Sequence, residues 1–191
     1  MPGIWHNKIE DMFPEEMREV RFYCGNRGSY INRRADILLN DQKTCEIQHS
    51  FISCGEIEER NRNWKTFGKD IIWLIDGCTD DVICEKLECG DDVITFKKSW
   101  KYKSFLKYDH VLLNINDTIY KFSPNMVKCG MVKVKEGMKL EDVIDKLKND
   151  PNNICNLWKG DNNVPCIKYI HQKGAGNGKT YGIWKSILEN E

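Results

Sequence analysis

Near the N-terminus, Ile4, Lys8, Ile9, Met12 and Phe13 fall at helical spacing, and Pro14 stops the run. "EVRFYCG" is short and extended, and "NRGSYINRR" reads as a turn-rich connection. "ADILL" then predicts a strand, "NDQK" a turn and "TCEIQHSFI" a second strand. Ser53 and Glu56 have capping-box spacing, so a helix is expected to run to about Phe67, with Gly68 just past its end. Ile57 and Trp64 are its buried stripe. "DIIWLIDG" is almost unbroken in apolar character, which suits a strand buried on both faces, as in a parallel crossover. Two more strands, "HVLLNIN" and "TIYKF", meet near Asp117. Leu140, Val143, Ile144 and Leu147 recur at i, i+3, i+4, i+7 and predict an amphipathic helix ended by Pro151. "PNNICNLWKGDNNVP" reads as a linker. Two strands, a helix and a buried strand make an α/β fold with a mixed sheet flanked by helices, extended by C-terminal strands and a helix. The expected divisions are 1–122, an appended strand and helix over 123–150, and 151–191 as a linker leading into a further domain.

Composition narrows this picture. The 191 residues hold no apolar run long enough to cross a bilayer, and the first residues lack the pattern of a signal peptide. The expectation is a soluble, intracellular protein. Lys and Arg number 29, as do Asp and Glu, so a polycationic tail is excluded while local basic patches are not. Nine cysteines occur without a C-x-x-C pair, so reduced, buried thiols are expected rather than a zinc site.

The predicted hairpin carries candidate chemistry. With a three-residue loop at 40–42, Leu39 opposes Lys43 and Asp36 opposes Glu46. Opposed residues share a face, with Cβ atoms roughly 5 Å apart, and a one-residue slip would separate the acids. Like charges so placed repel unless a divalent cation lies between them, and Mg²⁺ suits two carboxylates and several waters. Gln48 projects from the same face as Glu46, and the Ile47 carbonyl is a further oxygen donor. Ala35, Ile37, Cys45 and Ile47 alternate with the acids and are expected to face the core. The plain alternative is an exposed polar hairpin face.

The ordered set "WH…FP…EV…RRADI…EIQHSFIS…EIEERNRNW…IIWLIDG" resembles the CoiA-like nucleases of the PD-(D/E)XK phosphodiesterase superfamily, over roughly Ile4 to Gly77. That resemblance implies a restriction-endonuclease-like fold and DNA phosphodiester hydrolysis with Mg²⁺ or Mn²⁺. It implies metal ligation and catalysis by Asp36, Glu46 and Glu19, with Gln48 where most of the superfamily has a lysine. His49 and Ser50 complete the signature, and Arg60 matches the family arginine, which implies phosphate contact or pairing with an acid. Arg33 stands where the family has a histidine. His6 lies in the matched box, yet it also reads as an ordinary packed or surface histidine. Lys8 beside it is a candidate DNA contact.

Two later stretches add partners. "KKSWKYKSFLK" sets Lys98, Lys101 and Lys103 among Trp100, Tyr102 and Phe105, either as a nucleic-acid surface or as core aromatics with solvated lysines. "KGAGNGKT" resembles a Walker A loop, with Gly174, Gly176, Gly178, Lys179 and Thr180 as nucleotide contacts between a strand and a helix "TYGIWKSILEN". Lys173 departs from the pattern, and eleven residues follow Thr180. ATP binding is therefore expected only in a longer chain with a C-terminal helicase module. The reading is a metal-dependent DNA endonuclease domain. The alternative is a non-catalytic nucleic-acid-binding module that targets a helicase.

Overall fold

The computed structural model describes residues 3–26, 29–78, 82–86, 92–96, 104–105, 108, 110–122, 131–134, 137–158, 169–173 and 180–184. The first helix, α1, is Ile4–Glu10. A six-stranded mixed sheet follows the predicted α/β plan. Its strands are β3 (Ile37–Leu38), β4 (Lys43–Gln48), β5 (Asp70–Asp76), β8 (Val111–Ile115), β9 (Thr118–Phe122) and β11 (Met138–Lys139), in spatial order β11-β9-β8-β5-β4-β3. The β4–β5 and β5–β8 pairs are parallel, and the others are antiparallel.

The apolar run of β5 is buried on both faces because the sheet is covered twice. Ile71, Trp73 and Ile75 join the cluster under helix α2 (Cys54–Thr66), with Ile57 and Trp64. Ile72 and Leu74 face the other way, onto Ile9 and Phe13 and onto helix α3 (Leu140–Asn149). The Ser53 side chain caps α2 by accepting from the Glu56 amide, and Gly68 takes φ 70° past its end, as its spacing predicts. Asn116 and Asp117, both at positive φ, form the two-residue turn between β8 and β9.

Several elements differ from expectation. The "turn-rich" stretch is strand β2 (Ser29–Arg34), which pairs with β1 (Arg21–Asn26) over six positions. From Tyr30 to Arg34 its exposure alternates residue by residue, a period obscured by its polar content. A three-stranded sheet of β6 (Val82–Lys86), β7 (Asp92–Phe96) and β10 (Met131–Val134) places Ile94 in the cluster under α2. The expected linker begins as a 3-10 segment, Pro151–Trp158, because Ile154 and Trp158 are buried against the α3 side of the sheet. The helix expected after the glycine-rich loop is instead strand β13 (Thr180–Trp184), antiparallel to β12 (Tyr169–Lys173). A phosphate-binding loop needs a helix N-terminus there. Thr180 instead starts the returning arm of a hairpin. Gly174, Gly176, Gly178 and Lys179 lie outside the described residues, as do Lys98, Lys101 and Lys103. Among the described residues, no helix is long and apolar enough to cross a membrane.

α3 buries all four of its predicted apolar positions in the same cluster as the central strands. Leu147→Ala is accordingly expected to lower unfolding free energy by about 2–5 kcal/mol. Urea denaturation checks this, and a change under about 0.5 kcal/mol, the size of a neutral surface substitution, would show that α3 is not part of the core.

Candidate active site

The β3–β4 ladder pairs Ile37 with Cys45 and Leu38 with Thr44. The Leu39 amide donates to the Lys43 carbonyl at 3.1 Å. The expected register is therefore present, and its continuation sets Asp36 against Glu46. The alternation around Asp36 is different. Ala35 is buried in the cluster under α2, but Ile37 is buried in the one under α1 and α3. Residues two apart on a regular strand share a face, so the chain turns over at Asp36. Segment 18–20 holds this edge in place. Arg18 bridges Ile37, the Glu19 amide donates to the Asp36 carbonyl at 2.9 Å, and Glu19 sits at φ 51°. The Asp36 carboxylate accepts from the Ile47 amide at 2.8 Å and feels groups on both helices.

On the α2 side, Glu46 is only 3% exposed. Trp64 donates its indole N–H to one carboxylate oxygen, and Arg60 donates to the other, both at 3.1 Å. Residues four apart project from one helical face, so α2 brings both donors to the same acid. Arg60 also bonds Glu56 at 3.0 Å. A guanidinium thus reaches Glu46 from the α2 side. Gln48 is buried beside Glu46, and its amide donates to the Ser50 carbonyl.

On the α1 side, His6 Nε2 lies 3.1 Å from Glu10 Oε1. Ligand atoms of His6, Glu10 and Asp36 all fall within 4.8 Å of one another. Glu10 was not singled out from the sequence, although its i, i+4 spacing from His6 on a predicted helix was available as a signal. Glu19, named in its place, pairs with Arg34 at 3.0 Å with both side chains about half exposed.

These acids are electrostatically loaded. Burial, together with the Asp36 charge, pushes the Glu46 carboxyl up to about 8, against the opposing pull of Arg60 and Trp64. Burial also raises Asp36, although the Ile47 amide, His6 and Arg60 counter it. Glu10 is raised by burial, opposed by His6 and reinforced by Asp36 and Glu19. Glu10 Oε1 is buried and takes no well-formed hydrogen bond. A buried carboxylate oxygen whose neighbours are a second acid and an imidazole, and which makes no hydrogen bond of good geometry, fits a divalent cation. Two oxygens and one ring nitrogen suit Mn²⁺ at least as well as Mg²⁺.

The remaining expected contacts scatter. Lys8 pairs with Asp117 at 2.9 Å on the surface. His49 bonds the buried Asp76 carboxylate through Nδ1 at 2.8 Å and stacks on Trp5 at 6.1 Å. Ser50 is exposed. A cleft of about 260 Å³ is lined by Asn32, Arg33, Arg34, Asp36, Glu46, Arg60 and Trp64, and Arg33 pairs with Glu59 of α2.

The raised Glu46 carboxyl sets a sign. Between the ordinary carboxylate range and about pH 8, the folded chain keeps a proton that the unfolded chain has lost. Stability of the metal-free protein should therefore fall as pH rises through that window. Glu46→Gln should flatten the decline, leaving the shallower contributions of Asp36 and Glu10. Thermal unfolding in chelator from pH 5 to 8 reads this, and parallel curves for the two proteins would refute it.

Residues 27–88 match the family model described as Competence protein CoiA, nuclease-like domain. The matched stretch carries β2 through β6, with Asp36, Glu46, Gln48 and Arg60, while α1 with His6 and Glu10 lies outside it. No curated protein and no solved structure matches the chain. Over this third of its length the chain is similar to a nuclease-like domain in an α/β fold of mixed sheet and flanking helices.

Proposed function

We propose that the chain is a metal-dependent DNA endonuclease whose site is centred on Asp36. The observation that carries this reading is the meeting of His6, Glu10 and Asp36 within 4.8 Å, on the strand edge whose opposed acid is the buried Glu46. The similarity of residues 27–88 to a nuclease-like domain supports it. His6, Glu10 and Asp36 would hold the ion. A divalent cation held there would supply Lewis-acid polarisation of a phosphoryl oxygen and a lowered water pKa, so that hydroxide is available to attack phosphorus. Arg60, held over the cleft by Glu46 and Glu56, is placed to meet the charge that builds on the phosphoryl oxygens, with Arg34 beside it. Gln48 cannot carry the charge of a lysine. With one amide N–H on the Ser50 carbonyl, its remaining amide groups would be what could hydrogen-bond a water. Glu19 acts indirectly, holding Arg34 at the rim. Thr180–Trp184 is a strand, so it offers no helix N-terminus to a nucleotide phosphate.

A second reading, a non-catalytic nucleic-acid-binding module, is favoured by one observation. Both oxygens of Glu46 are already engaged by Arg60 and Trp64.

Cleavage of single-stranded, duplex and branched DNA separates the two. Under the nuclease reading the wild type cleaves with Mn²⁺ or Mg²⁺ and not in chelator, and Asp36→Asn loses at least about 100-fold in rate. A wild type that binds DNA but cleaves none of the three substrates establishes the binding module instead. Calorimetric titration with Mn²⁺ tests the ligand set. Glu10→Gln should weaken binding by about tenfold or more, and Glu19→Gln by much less. Equal losses would return Glu19 to the site.

A further inference from the structure

The β1–β2 hairpin stands beside the cleft, and its two faces differ. Register pairs Arg21 with Arg34, Tyr23 with Asn32 and Gly25 with Tyr30. Paired residues and their i, i+2 neighbours share a face. Arg21, Tyr23, Tyr30, Asn32 and Arg34 therefore lie together, and all five are exposed. On the other face Phe22, Ile31 and Arg33 are partly buried while Cys24 is exposed, and Phe22 packs edge-on against Trp64 at 5.3 Å. The packing of Phe22 on Trp64 fixes which face looks out.

That outer face carries two large aromatic rings in water. Tyr23 is 56% exposed and Tyr30 is 67% exposed, with ring centroids 6.0 Å apart. Nothing in the fold requires this. Gly25 opposite Tyr30 has no side chain to cover the ring, so the tyrosines lie against each other and solvent. Residues 21–34 contain four arginines and no acid in a chain of zero net charge. The face ends at the active site, since Asn32 and Arg34 line the same cleft as Asp36 and Glu46. An exposed aromatic pair, then an amide, then an arginine beside the reacting edge is an ordered path.

We propose that this face is a stacking platform for single-stranded DNA. Unpaired bases stack on Tyr23 and Tyr30, and the backbone passes Asn32 and Arg34 toward Asp36. Paired bases in a duplex keep their faces hidden from the rings, whereas every unpaired base offers one. On this face Arg21 and Arg34, the latter shared with Glu19, supply the charge complement to the phosphates. The substrate class this assigns, a single strand or an unpaired flap, rests on the nuclease reading for what happens in the cleft. The binding itself does not.

Fluorescence anisotropy with a labelled oligothymidine and a duplex of equal length, in chelator so that nothing is cut, tests the platform. Tyr23→Ala/Tyr30→Ala is expected to bind the single strand at least about tenfold more weakly. Tyr23→Phe/Tyr30→Phe keeps the rings and should bind within about twofold of wild type. Duplex binding should change less than single-strand binding. The platform is overturned if the double alanine variant binds the single strand as tightly as wild type, or if the phenylalanine variant loses as much as the alanine one. A wild type that does not bind the single strand overturns it as well. If sedimentation shows self-association that the alanine variant loses while single-strand binding is untouched, the tyrosines join copies of the chain and the platform is wrong. Binding through the tyrosines without any cleavage once metal is added keeps the platform and removes the nuclease reading. Cleavage that the alanine variant performs with unchanged affinity does the reverse.

Discussion

Glu46 lies inside the sheet, on a strand whose six residues are all buried, and a carboxylate there must have partners. A buried carboxyl left without hydrogen-bond partners costs free energy whether or not it holds its proton. Arg60 and Trp64 answer it from one face of α2, four residues apart, while Trp64 and Ile57 also fill the cluster beneath. The position of α2 along the sheet is thus constrained by packing and by charge together. Ser53 sets where the helix begins, and Gly68 where it ends. Moving α2 by a residue would strand the carboxylate and take Arg60 away from the cleft.

The second constraint is the turnover at Asp36. A regular edge strand would have pointed this acid at α2 alone. Because Ala35 and Ile37 are buried in opposite clusters, Asp36 sits where the two layers meet, between Arg60 on one side and His6 and Glu10 on the other. Three carboxyls raised by burial gather around one edge. Acids so held bind protons at low pH and favour cations at higher pH, which is the electrostatic condition for a metal site. The similarity to a nuclease-like domain covers the α2 half of this arrangement and stops short of α1. The convergence of α1 with that half is a property of the folded chain.

The hairpin of β1 and β2 extends the same edge outward. Phe22 anchors it on Trp64, the residue that also binds Glu46. The aromatic face, the cleft and the buried acid are therefore mechanically connected through one side chain.

Much of the fold could be read from periodicity. The amphipathic spacing of α3, the double-sided burial of β5, the cap of α2 and the hairpin register were all carried by side chains whose neighbours are near in sequence. Where local polarity and structural period disagreed, the reading failed. β2 looked like a turn because half its residues face water, and 151–158 looked like a linker although Ile154 and Trp158 are buried. In the site, the opposition of Asp36 and Glu46 followed from loop length alone. That Arg60 and Trp64 occupy Glu46, that Glu10 rather than Glu19 reaches Asp36, and that the β1–β2 hairpin packs on Trp64 beside the cleft depend on contacts between segments distant in sequence. The chain's own order determined the elements and the pairing of the acids, because turns and strand register are local. Only the tertiary structure decided which charges surround those acids, because burial and proximity belong to the packed layers and not to any one segment.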